Sequence, residues 1–120
     1  KENDKMKLLV FVLNMHERLD ALLTEFAHKG IGGATILEST GMAEVLQDHD
    51  EEDIPFLGSL RSLLNPEREK SDTIFIVLHE EKIPEAVRIF EQVVGDLNNQ
   101  NTGIAFSLPI DFVKGIPNLE

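Results

Sequence analysis

The amino-acid sequence predicts an α+β domain of two β-α-β units, joined by a long loop between the second and third strands. Each half contains a continuous apolar run, at 8–13 and 73–78, as is typical of strands buried on both faces. Each run is followed by a helical pattern and then by a second short strand. The 120 residues, 42% of them hydrophobic, suffice for one such domain.

The first half of the chain has the pattern strand, helix, strand. Asn14 ends the apolar run, and Asn14 with Glu17 has the spacing of a capping box at a helix start. The helix is expected to end near His28, with an apolar face made by Leu19, Leu22, Leu23, Phe26 and Ala27. Gly30 suits the position after the helix, where glycine adopts a positive φ without strain, and 34–37 form the second strand.

The second half repeats this order. The strand at 73–78 ends at His79, and Pro84 suits the first turn of a helix. The apolar face of that helix is expected to consist of Ile83, Ala86, Val87, Phe90 and Val94. Gly95 suits the position after this helix, and 104–108 form the closing strand. Two β-α-β units side by side predict the ferredoxin-like sandwich, with four strands and both helices on one face.

One face of this sheet would carry no helix, although both faces of the central strands are apolar. We expect Leu9, Phe11, Leu13, Phe75 and Val77 to point away from Leu8, Val10, Val12, Ile74 and Ile76. Five such side chains left in water would forgo roughly 1.5 to 3 kcal/mol each, and the net stability of a whole domain is about 5 to 15 kcal/mol. The open face is therefore expected to be buried in an oligomer. The alternative is that part of the segment 41–71 covers it.

The composition excludes several classes of function. A net charge of −11 disfavours binding to nucleic-acid phosphates or to an anionic membrane surface, and no apolar run approaches the ~20 residues of a membrane span. The absence of Cys removes disulfides and thiolate sites and fits a cytoplasmic protein. No GxSxG, HExxH or P-loop lysine is present, and the four histidines are scattered, so no catalytic residues are predicted and we expect no enzyme.

The segment 41–71 is too long for an ordinary connector, and segments of this length are usually functional or disordered. Five carboxylates lie within 47–53, and with His49 they suggest a divalent-cation site, but their spacing matches no known metal-binding loop. We therefore predict no metal site and expect a poorly ordered, solvated tip. Ser59 is expected to cap a short helix that docks through Leu60, Leu63 and Leu64.

The stretch 30–41 carries a resemblance to a known family. The sequence Gly30-Ile31-x-Gly33-Ala34-Thr35-Ile36, followed by Glu38 and Gly41, is similar to the second-strand signature of the PII superfamily of trimeric signalling proteins. The two β-α-β halves and the strand entry at 103–106 extend this resemblance over residues 6–116, as one PII-like domain. Residues 1–5 are expected to be a polar tail.

The PII resemblance implies a homotrimer that binds a small effector in a cleft between subunits and contacts a protein partner through the loop 41–71, the T-loop of that family. The implied ligand-binding residues are Gly33, Thr35, Gly41, Gly95, Thr102, Gly103 and Lys114. The implied partner-contacting residues are Ile54, Phe56, Arg61 and Arg68.

The chain departs from the ATP-binding members of this family, which hold phosphates with a loop lysine and two C-terminal arginines. Here no Lys or Arg lies between Gly95 and Gly103, and no Arg follows. Each lost charge-assisted contact is worth about 1.5 to 3 kcal/mol, so tight ATP binding is not expected, although bare loop amides can still form an anion-binding nest. A monophosphate, a cyclic nucleotide or a different small ligand stays open. The prediction is a non-enzymatic sensor of a small adenine-type ligand. The alternatives are a divalent-cation-associated trimer resembling the CutA family and a structural interaction module.

Overall fold

Four strands and three helices lie within residues 5–47 and 70–116, which the computed structural model describes. The strands are β1 (Met6–Leu13), β2 (Thr35–Ser39), β3 (Ser71–His79) and β4 (Gly103–Pro109). The helices are α1 (Leu19–His28), α2 (Met42–Gln47) and α3 (Ile83–Val93). Short 3₁₀ turns at His16–Arg18 and Glu80–Lys82 precede α1 and α3.

The strands form one antiparallel sheet in the order β2-β3-β1-β4. Strand β3 therefore lies between β1 and β2, and β1 lies between β3 and β4. This split β-α-β arrangement confirms the predicted ferredoxin-like fold. None of the helices in the described residues is long and apolar enough to cross a membrane.

The core lies between the sheet and the two long helices. Phe11 of β1 is fully buried, and its ring stacks on Phe90 of α3 at a centroid distance of 4.6 Å and on Phe26 of α1 at 6.0 Å. Around these rings pack the buried side chains of Leu9, Leu13, Leu22, Ile31, Ile74, Ile76, Leu78, Ala86, Ile89 and Val94. Aromatic stacking of this kind adds about 0.5 to 1.5 kcal/mol beyond burial, so Phe11 joins both helices to the sheet.

The strand register corrects the expected grouping of side chains. Val10 lies opposite Phe75, and Phe11 lies opposite Ile74. Residues that are directly opposite share a face, so Phe75 points to the open face with Val10, and Ile74 points to the helices. The expectation that Phe75 and Val77 share a face with Phe11 is wrong, because alternation within one strand does not set its register against the next.

The helix starts also differ from expectation. No side chain caps the 3₁₀ turn at Met15 or α1 at Arg18, so the predicted capping box of Asn14 and Glu17 is wrong. The Asn14 N–H instead donates to the Thr102 carbonyl oxygen at 3.4 Å. Among the predicted helix faces, Ala27 is exposed, and the buried Ile89 was not anticipated.

The end of α1 confirms the prediction for Gly30. Gly30 has a φ of +76°, its N–H donates to Ala27 at 3.1 Å, and the Ile31 N–H donates to Phe26 at 2.8 Å. These two bonds form a Schellman motif, and the following Ile31 is buried in the core. A local sequence signal thus fixes how the chain leaves α1 for β2.

Three connections meet at one end of the sheet, which we call the loop end. Here β1 ends at Leu13, with Asp72 of β3 and Gly103 of β4 on either side, and Glu38 of β2 lies beyond Asp72. The chain leaves β2 here and begins the short helix α2, which was not predicted. The predicted acidic tip and the predicted helix capped by Ser59, with its leucines Leu60, Leu63 and Leu64, lie outside the described residues.

Candidate functional site

A buried carboxylate paired with a histidine lies at the loop end. The Asp72 side chain is only 3% exposed, whereas the His16 side chain is 65% exposed. His16 Nδ1 lies 2.7 Å from Asp72 Oδ2. The 3₁₀ turn after β1 positions His16, and the register of β3 turns Asp72 to the helix-covered face beside Leu13. His16 therefore provides a hydrogen-bond partner for a carboxylate that is almost completely buried.

The pair is electrostatically coupled. The hydrogen bond that His16 makes to Asp72, and then the negative charge of Asp72, raise the pKa of His16 above its ordinary value, and Glu38 and Asp20 act in the same direction. Protonated His16 and ionised Asp72 form a charge-assisted hydrogen bond, which is stronger than a neutral one. This connects the β1–α1 turn to the first residues of β3.

A second polar cluster, the hydroxyl cluster, consists of Ser39, Ser71 and Thr73. The Ser39 and Ser71 hydroxyl oxygens lie 2.8 Å apart, and the Thr73 hydroxyl donates to Ser39 Oγ at 2.8 Å. The Ser39 and Ser71 hydroxyls also donate to each other's backbone carbonyl oxygens, at 3.2 and 3.3 Å. The cluster joins the end of β2 to the start of β3, and so holds together the two ends of the long loop.

The hydroxyl cluster and the His16–Asp72 pair lie on opposite sides of the sheet. Ser71 and Asp72 are consecutive in β3, and successive side chains of a strand point to opposite faces. The two serines therefore do not complete a Ser-His-Asp arrangement with His16, which requires the hydroxyl to bond the imidazole.

At the other end of the sheet, His79 Nε2 is buried and has no hydrogen-bond partner within 5–47 and 70–116.

The loop between α3 and β4, residues 95–102, is held by its own hydrogen bonds. The Leu97 N–H donates to Glu91 Oε2, and the Asn98 N–H donates to Asp96 Oδ1, both at 2.9 Å. The Asn99 N–H donates to the Asp96 carbonyl oxygen at 3.0 Å. The expectation of bare amides in this loop is therefore wrong for these three groups, because the chain supplies their acceptors.

Gly103 has a packing role. A methyl group at this position would collide with the Val12 carbonyl oxygen and lie 3.4 Å from the Phe90 ring, and φ is +150°. Only glycine lets β4 approach β1 and α3 this closely. Thr102 beside it is 5% exposed, and its carbonyl oxygen accepts the bond from Asn14.

The seven residues implied as ligand contacts are not brought together within one chain. Gly41, Gly95, Thr102 and Gly103 lie at the loop end. Thr35 lies on the edge strand β2, opposite Phe75, and is exposed on the open face. Gly33 precedes β2, and Lys114 follows β4 at the other end of the sheet, where Pro109 pairs with Lys7. Strands β2 and β4 are opposite edges, separated by three strand spacings of about 4.8 Å each.

The four residues implied as partner contacts, Ile54, Phe56, Arg61 and Arg68, lie outside the described residues. Within 5–47 and 70–116, no group of three or more His, Asp or Glu side chains is arranged to hold a metal ion. The acidic residues after 47 that suggested a divalent cation are not among these.

The open face of the sheet is largely apolar outside the hydroxyl cluster, which lies on this face at the loop end. Ile104, Phe106 and Leu108 of β4 are 57%, 46% and 47% exposed, and Leu37 of β2 is 51% exposed. Val10 between them is only 3% exposed, because Phe75 and Phe106 flank it on the two neighbouring strands. The face thus presents large apolar side chains on both edges around a filled centre.

Sequence reasoning missed the His16–Asp72 pair, the hydroxyl cluster and the role of Glu91. One signal for Asp72 was available. It continues the alternation of Ile74, Ile76 and Leu78, so a charged residue occupies a position that faces the core. A carboxylate in that position requires a partner, but the partner lies 56 residues away in sequence.

Comparison with known proteins establishes the fold. No protein-family model matches the sequence. A search of curated proteins finds no match either. Among solved structures, Arabidopsis thaliana PII bound to citrate matches with a TM-score of 0.65 and 14% identity, over 99% of this chain and 90% of that one. A protein of unknown function from Pediococcus pentosaceus matches with a TM-score of 0.60 and 16% identity, over 94% of this chain and 99% of that one. The chain therefore has a PII-like fold, in agreement with the resemblance in its sequence.

Proposed function

We propose that this protein is a non-enzymatic regulatory protein of the cytoplasm. In this proposal it assembles as a homotrimer, binds a small adenine-type ligand between subunits and acts on a protein partner through the loop 41–71. The PII-like fold supports this assignment, as does the motif at 30–41.

The observation that carries the proposal is the division of the implied ligand contacts between two edges of the sheet. Thr35 lies on β2, whereas Gly95 lies next to β4 on the other edge, and one chain alone does not close a pocket from them. A second copy of the chain that covers the open face would supply the residues that complete the pocket. Apolar side chains at Leu37, Ile104 and Phe106 favour such a copy over water.

Calorimetric titration tests the ligand. We expect binding of an adenine compound from the series adenosine, AMP, cyclic AMP, ADP and ATP, and we expect Thr35→Val to weaken it by roughly two- to tenfold, as for the loss of one hydrogen bond. Thr24→Val is the matched control, because Thr24 is an exposed threonine of α1 away from the sheet.

Two results would contradict the proposal. One is that none of the adenine compounds in the series binds to the protein. The other is equal affinity of the wild-type and Thr35→Val proteins. Binding of a divalent cation alone in the same experiment would support the alternative of a cation-associated trimer.

A further inference from the structure

Two carboxylates, Glu91 of α3 and Asp96, bind amides of the loop 95–102, which the PII resemblance places beside an anionic group of the ligand. Leu97 and Asn98 donate their N–H groups to the side chains of Glu91 and Asp96, each at 2.9 Å. Asn99 donates to the backbone of Asp96. Three consecutive amides are the kind of donors that hold a phosphate, and two of these three already bind a carboxylate oxygen.

The charges around this loop also disfavour the binding of an anion. From 89 to 113 the sequence contains no Lys or Arg, so the loop itself has no cation to offset Glu91 and Asp96. Arg88 lies one turn before Glu91 on the exposed side of α3. A phosphate that approached Leu97 and Asn98 would have to displace both carboxylates or remain beside them, and like charges at that separation repel.

We propose that Glu91 and Asp96 determine ligand specificity by occupying these amides, so that the site selects an adenine compound without phosphate, adenosine in preference to AMP or ATP. The adenine part rests on the function proposed above. The exclusion of phosphate rests on the hydrogen bonds and the charges of Glu91 and Asp96 at this loop.

Three variants separate charge from hydrogen bonding. Glu91→Gln keeps an oxygen that accepts from the Leu97 N–H but removes the charge. Glu91→Ala removes both the charge and the acceptor. Glu85→Gln is the matched control, because it removes the same charge from the first turn of the same helix, at its opposite end. Glu91 is exposed, so these changes leave the core intact.

The first measurement is the ratio of the dissociation constants of AMP and adenosine. The wild-type protein should prefer adenosine by about tenfold or more, equivalent to about 1.4 kcal/mol. The preference should shrink in Glu91→Gln, shrink further in Glu91→Ala, and remain in Glu85→Gln. Equal or tighter binding of AMP or ATP by the wild-type protein would overturn the proposal.

The second measurement uses pyrophosphate and the NMR signals of the Leu97 and Asn98 amides. Pyrophosphate should leave both signals in place in the wild-type protein and shift the Leu97 signal in Glu91→Ala. A shift in the wild-type protein, or none in Glu91→Ala, would overturn the role of Glu91. If pyrophosphate behaves as expected but neither adenosine nor AMP binds, the adenine-type site is wrong and the exclusion of anions stands.

Discussion

Asp72 shows how a single residue can join distant parts of the chain. Its carboxylate is buried at the start of β3, directly after the long loop, and the partner that it has among the described residues is His16, next to β1. A buried carboxylate is costly unless it is paired or hydrogen-bonded. The pair therefore holds the β1–α1 turn against the point where the loop re-enters the sheet.

The stability of the protein is expected to depend on pH through His16. Asp72 raises the pKa of His16 above 6.5 in the folded state, so protonated His16 stabilises the fold. This contribution is complete below pH 6.5 and is lost as the pH rises through the folded pKa. His16→Gln should therefore lower the urea midpoint more at a pH of about 5.5 than at about 8.5.

His28→Gln is the control for this measurement. The side chains of His16 and His28 are similarly exposed, at 65% and 69%. The partner of His28 is Glu25, 3.6 Å away on α1, and the Glu25 side chain is 35% exposed, whereas that of Asp72 is 3% exposed. At a pH of about 5.5, His28→Gln should lower the midpoint of urea unfolding less than His16→Gln does. An equal effect of His16→Gln at both pH values would refute the coupling to Asp72.

Two local features shape the strands and loops at the loop end. The hydroxyl cluster of Ser39, Ser71 and Thr73 ties β2 to β3 at the two ends of the long loop. Gly103 brings β4 against β1 and α3 with no room for a side chain. The strands are thus fixed next to the segment through which the protein is proposed to act on a partner.

Gly103→Ala should destabilise the protein. The added methyl group would collide with the Val12 carbonyl oxygen. The alanine would also have to keep a φ of +150°, which residues with a side chain rarely adopt. Overpacking of this kind costs about 1 to 3 kcal/mol, measurable as a lower midpoint of urea unfolding.

Gly32→Ala is the matched control. A Cβ at Gly32 would meet no atom within 4 Å, and its φ lies outside the range that side chains avoid. It should change the free energy of unfolding by less than about 0.5 kcal/mol. If Gly103→Ala were as stable as Gly32→Ala, the close approach of β4 would not need glycine.

The whole molecule has one covered and one open side. The helices bury Leu9, Phe11 and Leu13 of β1, while the same strand presents Leu8, Val10 and Val12 to the open face. Exposed apolar side chains of β2 and β4 widen this surface. A contiguous exposed apolar patch usually marks an interaction site, and in the function proposed above further copies of the same chain cover this one.

A charge on the open face should therefore dissociate the assembly. The wild-type protein is expected to sediment as about three chain masses of 13.5 kDa each. Phe106→Lys should shift the equilibrium toward the single chain, because burial of an unpaired ammonium costs far more than burial of the ring contributes. A wild-type protein that is monomeric at micromolar concentration would contradict the prediction.

Gln92→Lys is the control for the charge itself. Gln92 is exposed on α3, on the helix layer that covers the other side of the sheet. This variant should retain the assembly of the wild-type protein. If Gln92→Lys also dissociated it, the contact between copies would involve the helices rather than the open sheet face.

The sequence alone determined the four strands, the two long helices and their order. These signals act within a few residues, so they can be recognised without knowledge of the fold. They are the apolar runs at 8–13 and 73–78, the helical spacing of apolar residues, Gly30 after the first helix and Pro84 at the start of the second. The ferredoxin-like arrangement follows from that order, and the PII resemblance comes mainly from the motif at 30–41; the sheet topology and the comparison with solved structures confirm this fold.

Only the tertiary structure decided which side chains meet. The register placed Phe75 beside Val10 and not beside Phe11, and it turned Asp72 toward His16, 56 residues earlier. Gly103 stays a predicted ligand contact, and the structure adds that its backbone packs against β1 and α3. These outcomes depend on pairing between strands that are distant in sequence, where a shift of one residue moves every side chain to the other face, and no local pattern records that choice.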